Sequence, residues 1–457
     1  MTNSITFSGL ASGMDTQAII DAMMNIARAP VARLQNKRKT YTTQLSTLSD
    51  LSSRLSSLRT TARGMQSAST LKSYSAQSAD TEKLTAVAGS GAAPGTYDIE
   101  IQSIARATRS YSFGVTAKDQ TGLVGSGDLT LTVGTTTLPP IAVNEATDTL
   151  ETVAQKINDA NAGVSASIIY TGSVYKLVVN GTQTGATSAV SFADSGTLTT
   201  KLGLSDAGAV VQAASDASIK VDGNTITSSS NQMGQAIGGV NLTLLQTTAL
   251  GSTVTLTVGL DAAAEEQKIS ALLGTYNSVM NLLKDQLSYN GTPQDGQLIG
   301  DASLRGIKGQ LQSIVTGEVE AAGSYSALAM IGVITNKDDG TLSLNSSAFQ
   351  DAQAKDPEGV TRLLTYNDYN ATTDNDGVMI RLVRVIDSFL ATQSGTLTAR
   401  KDGIQRSIAT IDTRVASMER NLGTYEQGLR KQYAALESLM SNLQSQGNYL
   451  AAQTSSS

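Results

Sequence analysis

From Ile404 onward the apolar residues of the C-terminal region recur in alternating steps of four and three. The positions are Ile404, Ile408, Ile411, Val415, Met418, Leu422, Tyr425, Leu429, Gln432, Leu436, Leu439, Leu443, Gln446 and Leu450, and only the two Gln interrupt the stripe. About seven heptads in one register exceed the three or four that argue for a coiled coil. An ordinary core helix has a wider apolar face and a shorter run. Alone, such a helix buries little of its stripe, so it is ordered only against a partner. The N-terminal region offers one. From Leu34 to about Met65 a second helical stripe runs through Tyr41, Leu45, Leu48, Leu51, Leu55, Leu58, Ala62 and Met65. Its doubled step of three is a stammer that shifts the seam beside Leu48 without stopping the helix. Upstream, Asp15 or Thr16 caps a helix carrying Ile19, Ile20, Met23 and Ile26, and Pro30 interrupts it or starts the next segment.

Between these arms the texture changes. "GTYDIEIQSI", "DLTLTVG", "ASIIYTG", "YKLVVNG", "SIKVDGNTITSS" and "STVTLTVGL" alternate as strands do, and Asp222-Gly223 centres a hairpin. One helix interrupts them, with Leu150, Val153, Ala154, Ile157 and Ala160 on one face and a stop at Gly163. Helix returns at Glu265, with Ile269, Leu272, Leu273, Tyr276, Val279, Met280 and Leu283. A final helical region begins near Val378 and breaks around Ser394-Gly395. The expected fold is α+β and multidomain: both chain ends form a helical coiled-coil leg, and nested β-rich head domains are inserted between them. The expected division is a leg of 1–41 with 410–457, mobile when unassembled, and a helical stalk of 42–80 with 262–409. A β-rich head of 81–112 with 213–261 follows, with an inserted outer head of 113–212.

The length of 457 residues fits two to four domains. With 4% aromatic residues and no Trp, the cores must rest on aliphatic side chains. The formal charge of -6 and the absence of a long basic run argue against nucleic acid. Zero Cys and zero His exclude Ser-His and Cys-His catalysis, His- or Cys-ligated zinc, and disulfides. No stretch reaches the 18 or so apolar residues of a membrane span. "MTNSITFSGLASGMDTQ" has neither the basic start nor the apolar run of a cleavable signal, so secretion of such a chain would have to use another route.

"NKDDGTLSL" and "TDNDGVMI" place acids before a Gly as calcium loops do. Ser346 and Val383 stand where the bidentate Glu would be, so both read as turns. "GSGAAPG" precedes a strand rather than a helix and reads as a linker. No cofactor or metal is expected. A paired-carboxylate glycosidase lacks any His or Trp platform, and an enzyme is disfavoured.

Several segments together resemble one family. "GLASGMDTQAIIDAMM", "GTYDIEIQSIARA", "LTVGTTT" with "TLETVAQKINDANAGVSASIIY", "DASIKVDGNTITSSSNQMGQAIGGVNLTLL", "TYNSVMNLL", "GQLIGDASLRGI", "IGVITNKDDGTLSL" and "YAALESLMSNLQSQ" follow one another in the order seen in the flagellar filament cap, or flagellar hook-associated protein 2, family. The third pair is similar to the flagellin-type IN motif, which falls in the outer head. Asn345 and Leu364 depart from residues common there, Asp and Phe. The resemblance implies a non-enzymatic cap at the distal tip of the bacterial flagellum, secreted through the flagellar type III apparatus. It would form a ring-shaped homo-oligomer and promote folding and insertion of flagellin while preventing its loss. Implied partners are flagellin, hook-filament junction proteins and an export chaperone on the C-terminal helix. The alternative is an adhesin whose β-rich head binds host mucin or glycans.

Overall fold

The computed structural model describes residues 15–161, 163–206, 208–289, 296–320, 323–369 and 375–454. The Gly-Leu-x-Ser-Gly stretch at 9–13 and the first two residues of "TDNDGVMI" lie outside them. Helix α1 (Thr16–Arg63) is N-capped by Asp15, whose carboxylate accepts from the Ala18 amide. It runs on through Pro30, so the interruption expected there does not occur. A proline inside a helix leaves the carbonyl four residues earlier unpaired. That residue, Ile26, is 77% exposed, where water satisfies the carbonyl. A short α2 (Ala68–Leu71) ends this arm.

The strands β1 (Tyr74–Ser78), β2 (Leu84–Ala88), β3 (Gly95–Ser103), β4 (Arg109–Tyr111), β5 (Gly127–Val133), β6 (Thr136–Thr137) and β7 (Ile141–Val143) lead to α3 (Leu150–Asp159). Next come β8 (Val164–Tyr170), β9 (Tyr175–Gly181), β10 (Val190–Asp194), α4 (Leu198–Lys201) and β11 (Val210–Gln212). The strands close with β12 (Ala217–Val221), β13 (Asn224–Ser228), β14 (Gln232–Ile237), β15 (Val240–Leu244) and β16 (Val254–Leu260). Helices resume with α5 (Ala262–Leu287) and α6 (Ala302–Thr316), followed by the hairpin β17 (Val333–Thr335) and β18 (Leu342–Leu344). The chain then forms α7 (Ser346–Lys355), α8 (Pro357–Thr365), α9 (Val378–Leu390) and the 59-residue α10 (Thr396–Thr454).

The chain divides into a helical unit, up to Leu71 and from Glu266 onward, and a β-rich unit, Lys72–Glu265. This moves the expected stalk boundary from 80 and 262 to 71 and 266. β1 pairs with β16 in register from Tyr74↔Leu260 to Ser78↔Leu256, so it belongs to the head sheet.

Within the β-rich unit the antiparallel order β1-β16-β3-β12-β13 and the three strands β14-β15-β2 share one core, which includes Leu84, Ile99, Ile101, Ile219, Leu242 and Leu256. Alternate residues of β12 and β16 are buried, the pattern of a sheet with one covered face. β12 and β13 are joined by Asp222 and Gly223, both at positive φ (48 and 86), which is the two-residue turn the strand twist favours. A second core gathers β5, β8, β9 and β10 around α3, with Leu129, Leu131, Val153, Ile157, Leu177 and Val179. Thr149 caps α3 in a reciprocal box with Thr152, and Leu150, Val153, Ala154 and Ile157 are buried as their spacing requires. Ala160, expected on that face, is exposed at the helix end.

In the helical unit one large core joins Leu48, Leu51, Leu55 and Leu58 of α1 to α5, α6, α8 and α9. Leu364 is fully buried there, and Asn345 caps α7 by accepting from the Ala348 amide. The "NKDDGTLSL" loop is the turn between β17 and β18. Asn336 Oδ1 accepts from the Asp338 amide, and Asp339 Oδ1 accepts from the amide and hydroxyl of Thr341, so the Asp339 carboxylate serves the turn itself. No helix among the described residues is long and apolar enough to cross a membrane.

Candidate assembly interface on the terminal helices

α10 and α9 lie antiparallel along α1. Arg59 and Arg63 of α1 both bind Asp387 of α9, at 3.0 and 2.7 Å. Further along, Arg38 pairs with Asp412 at 2.5 Å, and Thr16 donates its hydroxyl to Glu437 at 3.2 Å. The stretch beyond the large core has only a small apolar cluster of its own: Ile20, Met24 and Leu429, with Leu422 and Tyr433 packed against it. Met23 and Ile26, expected on the packed face of α1, are exposed, and Met24 and Val31 take their place.

The expected seam divides into two parts. Ile404, Ile411 and Leu429 are buried, and Ile408, Val415, Met418 and Leu422 are half-buried. On α1, Leu48, Leu55 and Leu58 are fully buried and Tyr41 and Leu45 half-buried. Beyond Leu422 only Leu429 of the expected seam is covered by α1. Tyr425 (44%), Leu436 (41%), Leu439 (59%), Leu443 (52%) and Leu450 (61%) are exposed, as are Gln432 and Gln446.

The reason is a change of line. The residues of α10 that turn toward α1 are Leu422, Glu426, Leu429, Tyr433 and Glu437, with steps of four, three, four and four, whereas the apolar heptad takes its next step of three to Tyr425. An ideal α-helix of 3.6 residues per turn drifts away from a 3.5-residue repeat unless it supercoils. The distal seam therefore mixes its small apolar cluster with the charged Glu426 and Glu437. Arg430 donates to Gln17 at 3.1 Å and to Glu426 at 2.9 Å, and the Tyr433 hydroxyl lies 3.9 Å from the Met23 sulfur. The apolar line of α10 is left facing outward, with Met440 beside it. Sequence reasoning missed Glu426, Tyr433 and Glu437 because a heptad count follows apolarity and cannot see which line the partner helix meets.

These helices cap a chain whose parts match known proteins. The family models described as flagellar hook-associated protein 2 N-terminus and C-terminus match residues 12–108 and 214–445. The chain belongs to the flagellar hook-associated protein 2 family. The flagellin hook IN motif matches residues 128–183, the stretch that runs from β5 through α3 to β9. Among family members, the B-type flagellar hook-associated protein 2 of Pseudomonas aeruginosa is 28% identical over 95% of each chain. Flagellar hook-associated protein 2 of Escherichia coli is 28% identical over 98% of each. The crystal structure of the flagellar cap protein FliD D1-D2-D3 domains from Escherichia coli matches with a TM-score of 0.62 and 29% identity, covering 79% of this chain and 99% of that one.

Proposed function

We propose that this member of the flagellar hook-associated protein 2 family is a structural cap at the distal tip of the flagellar filament. It assists flagellin in folding and inserting, and it prevents loss of subunits. The observation that carries this reading is end-to-end similarity to relatives named hook-associated protein 2, with the head regions included. The relatives' names favour the cap over the adhesin. Support for the working part comes from the leg: an exposed apolar line through Leu436, Leu439 and Leu443 can be covered by neighbouring cap subunits or by flagellin. The chemistry is packing and exchange of packing, and no step needs a catalytic residue.

The amended domain plan is a leg of 1–41 with 410–457, a stalk of 42–71 with 266–409, an inner head of 72–112 with 213–265, and an outer head of 113–212. The four separate apolar clusters support it. In this reading the subunits form a homo-oligomeric ring after type III export, the C-terminal helix meets an export chaperone beforehand, and the ring follows the hook-filament junction proteins.

The test is a strain lacking this chain. It should shed monomeric flagellin into the medium and regain filaments when the chain is restored; filaments of normal length without it would contradict the proposal.

A further inference from the structure

The chain carries -6 overall, but its charge is segregated. α1 has eight Lys and Arg against two Asp and Glu, and α10 has seven against five, so these helices carry +6 and +2. The remainder of the chain must then carry -14. The positive charge concentrates where residues 28–39 lie beside residues 406–420, a juxtaposition fixed by the Arg38–Asp412 pair. Arg28, Arg33, Lys37, Arg38 and Lys39 meet Arg406, Arg414 and Arg420 there, against only Asp412 and Glu419. All eight cations are exposed. Among the described residues, Arg28, Arg33, Lys39, Arg406, Arg414 and Arg420 form no ion pair, and Lys37 lies over the Tyr41 ring at 5.8 Å. A groove of about 410 Å³ opens within this girdle, lined by Gln35, Arg38, Lys39, Thr42, Asp412 and Val415. The sequence shows only the short run Lys37-Arg38-Lys39 of one half, because the other half lies some 374 residues away.

We propose that this girdle is an electrostatic docking surface for the acidic part, outside α1 and α10, of a second copy of the same chain. Two girdles repel each other within the Debye length of about 8 Å at physiological salt, so side-by-side leg pairing is disfavoured. A leg of one copy against the negative body of another is favoured, and this is a head-to-tail contact that closes into rings or continues into filaments. A polyanionic partner such as nucleic acid would meet the same girdle but would be repelled by the remaining -14. The proposal rests on the self-association proposed above and names the surface that drives it.

The test uses the full chain and sedimentation velocity at 50 and 500 mM NaCl. The wild type should associate about tenfold more weakly at high salt. The combined variant Arg33→Glu, Lys39→Glu, Arg414→Glu and Arg420→Glu should associate at least that weakly at both, with unchanged helicity by circular dichroism. A variant with Lys at the three Arg positions should behave as wild type. Salt-insensitive association that survives charge reversal would overturn the girdle and leave self-association standing. Loss of heparin or flagellin binding with association intact would also overturn it. Absence of association at every salt concentration would overturn self-association itself.

Discussion

The hydroxyl of Thr16 donates to the carboxylate of Glu437 at 3.2 Å, joining the first turn of α1 to a point just before the outward-facing Leu439 and Met440. Thr16 is only 4% exposed, so its hydroxyl depends on protein partners rather than water. Thr16→Val should cost about 1 kcal/mol at this end of the leg. Amide exchange over residues 17–27 would then run about fivefold faster than in the wild type. Unchanged exchange would mean that the bond does not hold the helices together.

The outward apolar line is predicted to matter to assembly and not to the fold of the single chain. The triple variant Leu436→Gln, Leu439→Gln and Leu443→Gln should leave monomer stability within about 0.5 kcal/mol, as exposed substitutions do. It should nevertheless abolish cap rings in electron micrographs. By contrast, Leu55→Ala, in the large core, should cost about 3 kcal/mol in chemical denaturation.

Glu426 predicts the opposite effect. It occupies a line that faces α1, and its exposed i,i+4 pair with Arg430 contributes only a few tenths of a kcal/mol. Glu426→Leu should tighten the distal leg by roughly 1 kcal/mol. If leg helices must exchange partners during capping, this variant should be more protected as a monomer and slower to assemble. Faster assembly would contradict that account.

Some of this was legible in the sequence, and the residues show where legibility ended. Asp222-Gly223 sits in its hairpin and α3 in its place, because turn chemistry and short periodicity are local. Apolarity and the line toward α1 coincide at Ile404, Ile411 and Leu429, which are buried, and in part at Ile408, Val415, Met418 and Leu422. Glu426, Tyr433 and Glu437 were not readable, because they occupy the facing line through the position of α1 and not through their own hydropathy. β1 was assigned to the stalk because its pairing with β16 joins residues far apart in the chain. The basic girdle shows in the sequence only as the short run Lys37-Arg38-Lys39, and its joining to α10 was not readable for the same reason. A charge count made helix by helix would have found its α1 half, where residues 28–39 contain five cations and no acid.

The head makes a prediction about acid. Asp148 is 5% exposed, and its burial opposes its charge. The Asn144 amide, Lys156 and Thr152 outweigh burial and hold the carboxyl below its ordinary range. A depressed pKa means that this stabilisation is present above the unfolded value near about 3.9 and is lost as pH falls through the folded value. Asp148→Asn should therefore destabilise the outer head by about 2 kcal/mol at pH 7. That difference should shrink as protonation makes the wild type resemble the variant. A difference independent of pH in denaturant titrations would refute the ionic origin.

The central claim is that the apolar line of distal α10, exposed at Leu436, Leu439 and Leu443 in the single chain, becomes covered in the assembled cap. Hydrogen exchange over residues 430–450, in dilute monomer and in assembled rings, tests it most directly. The account predicts rapid exchange in the monomer and slowing of at least about a hundredfold in the ring, as local opening gives way to packed helix. Strong protection already present in the monomer, with no further slowing on assembly, would contradict it.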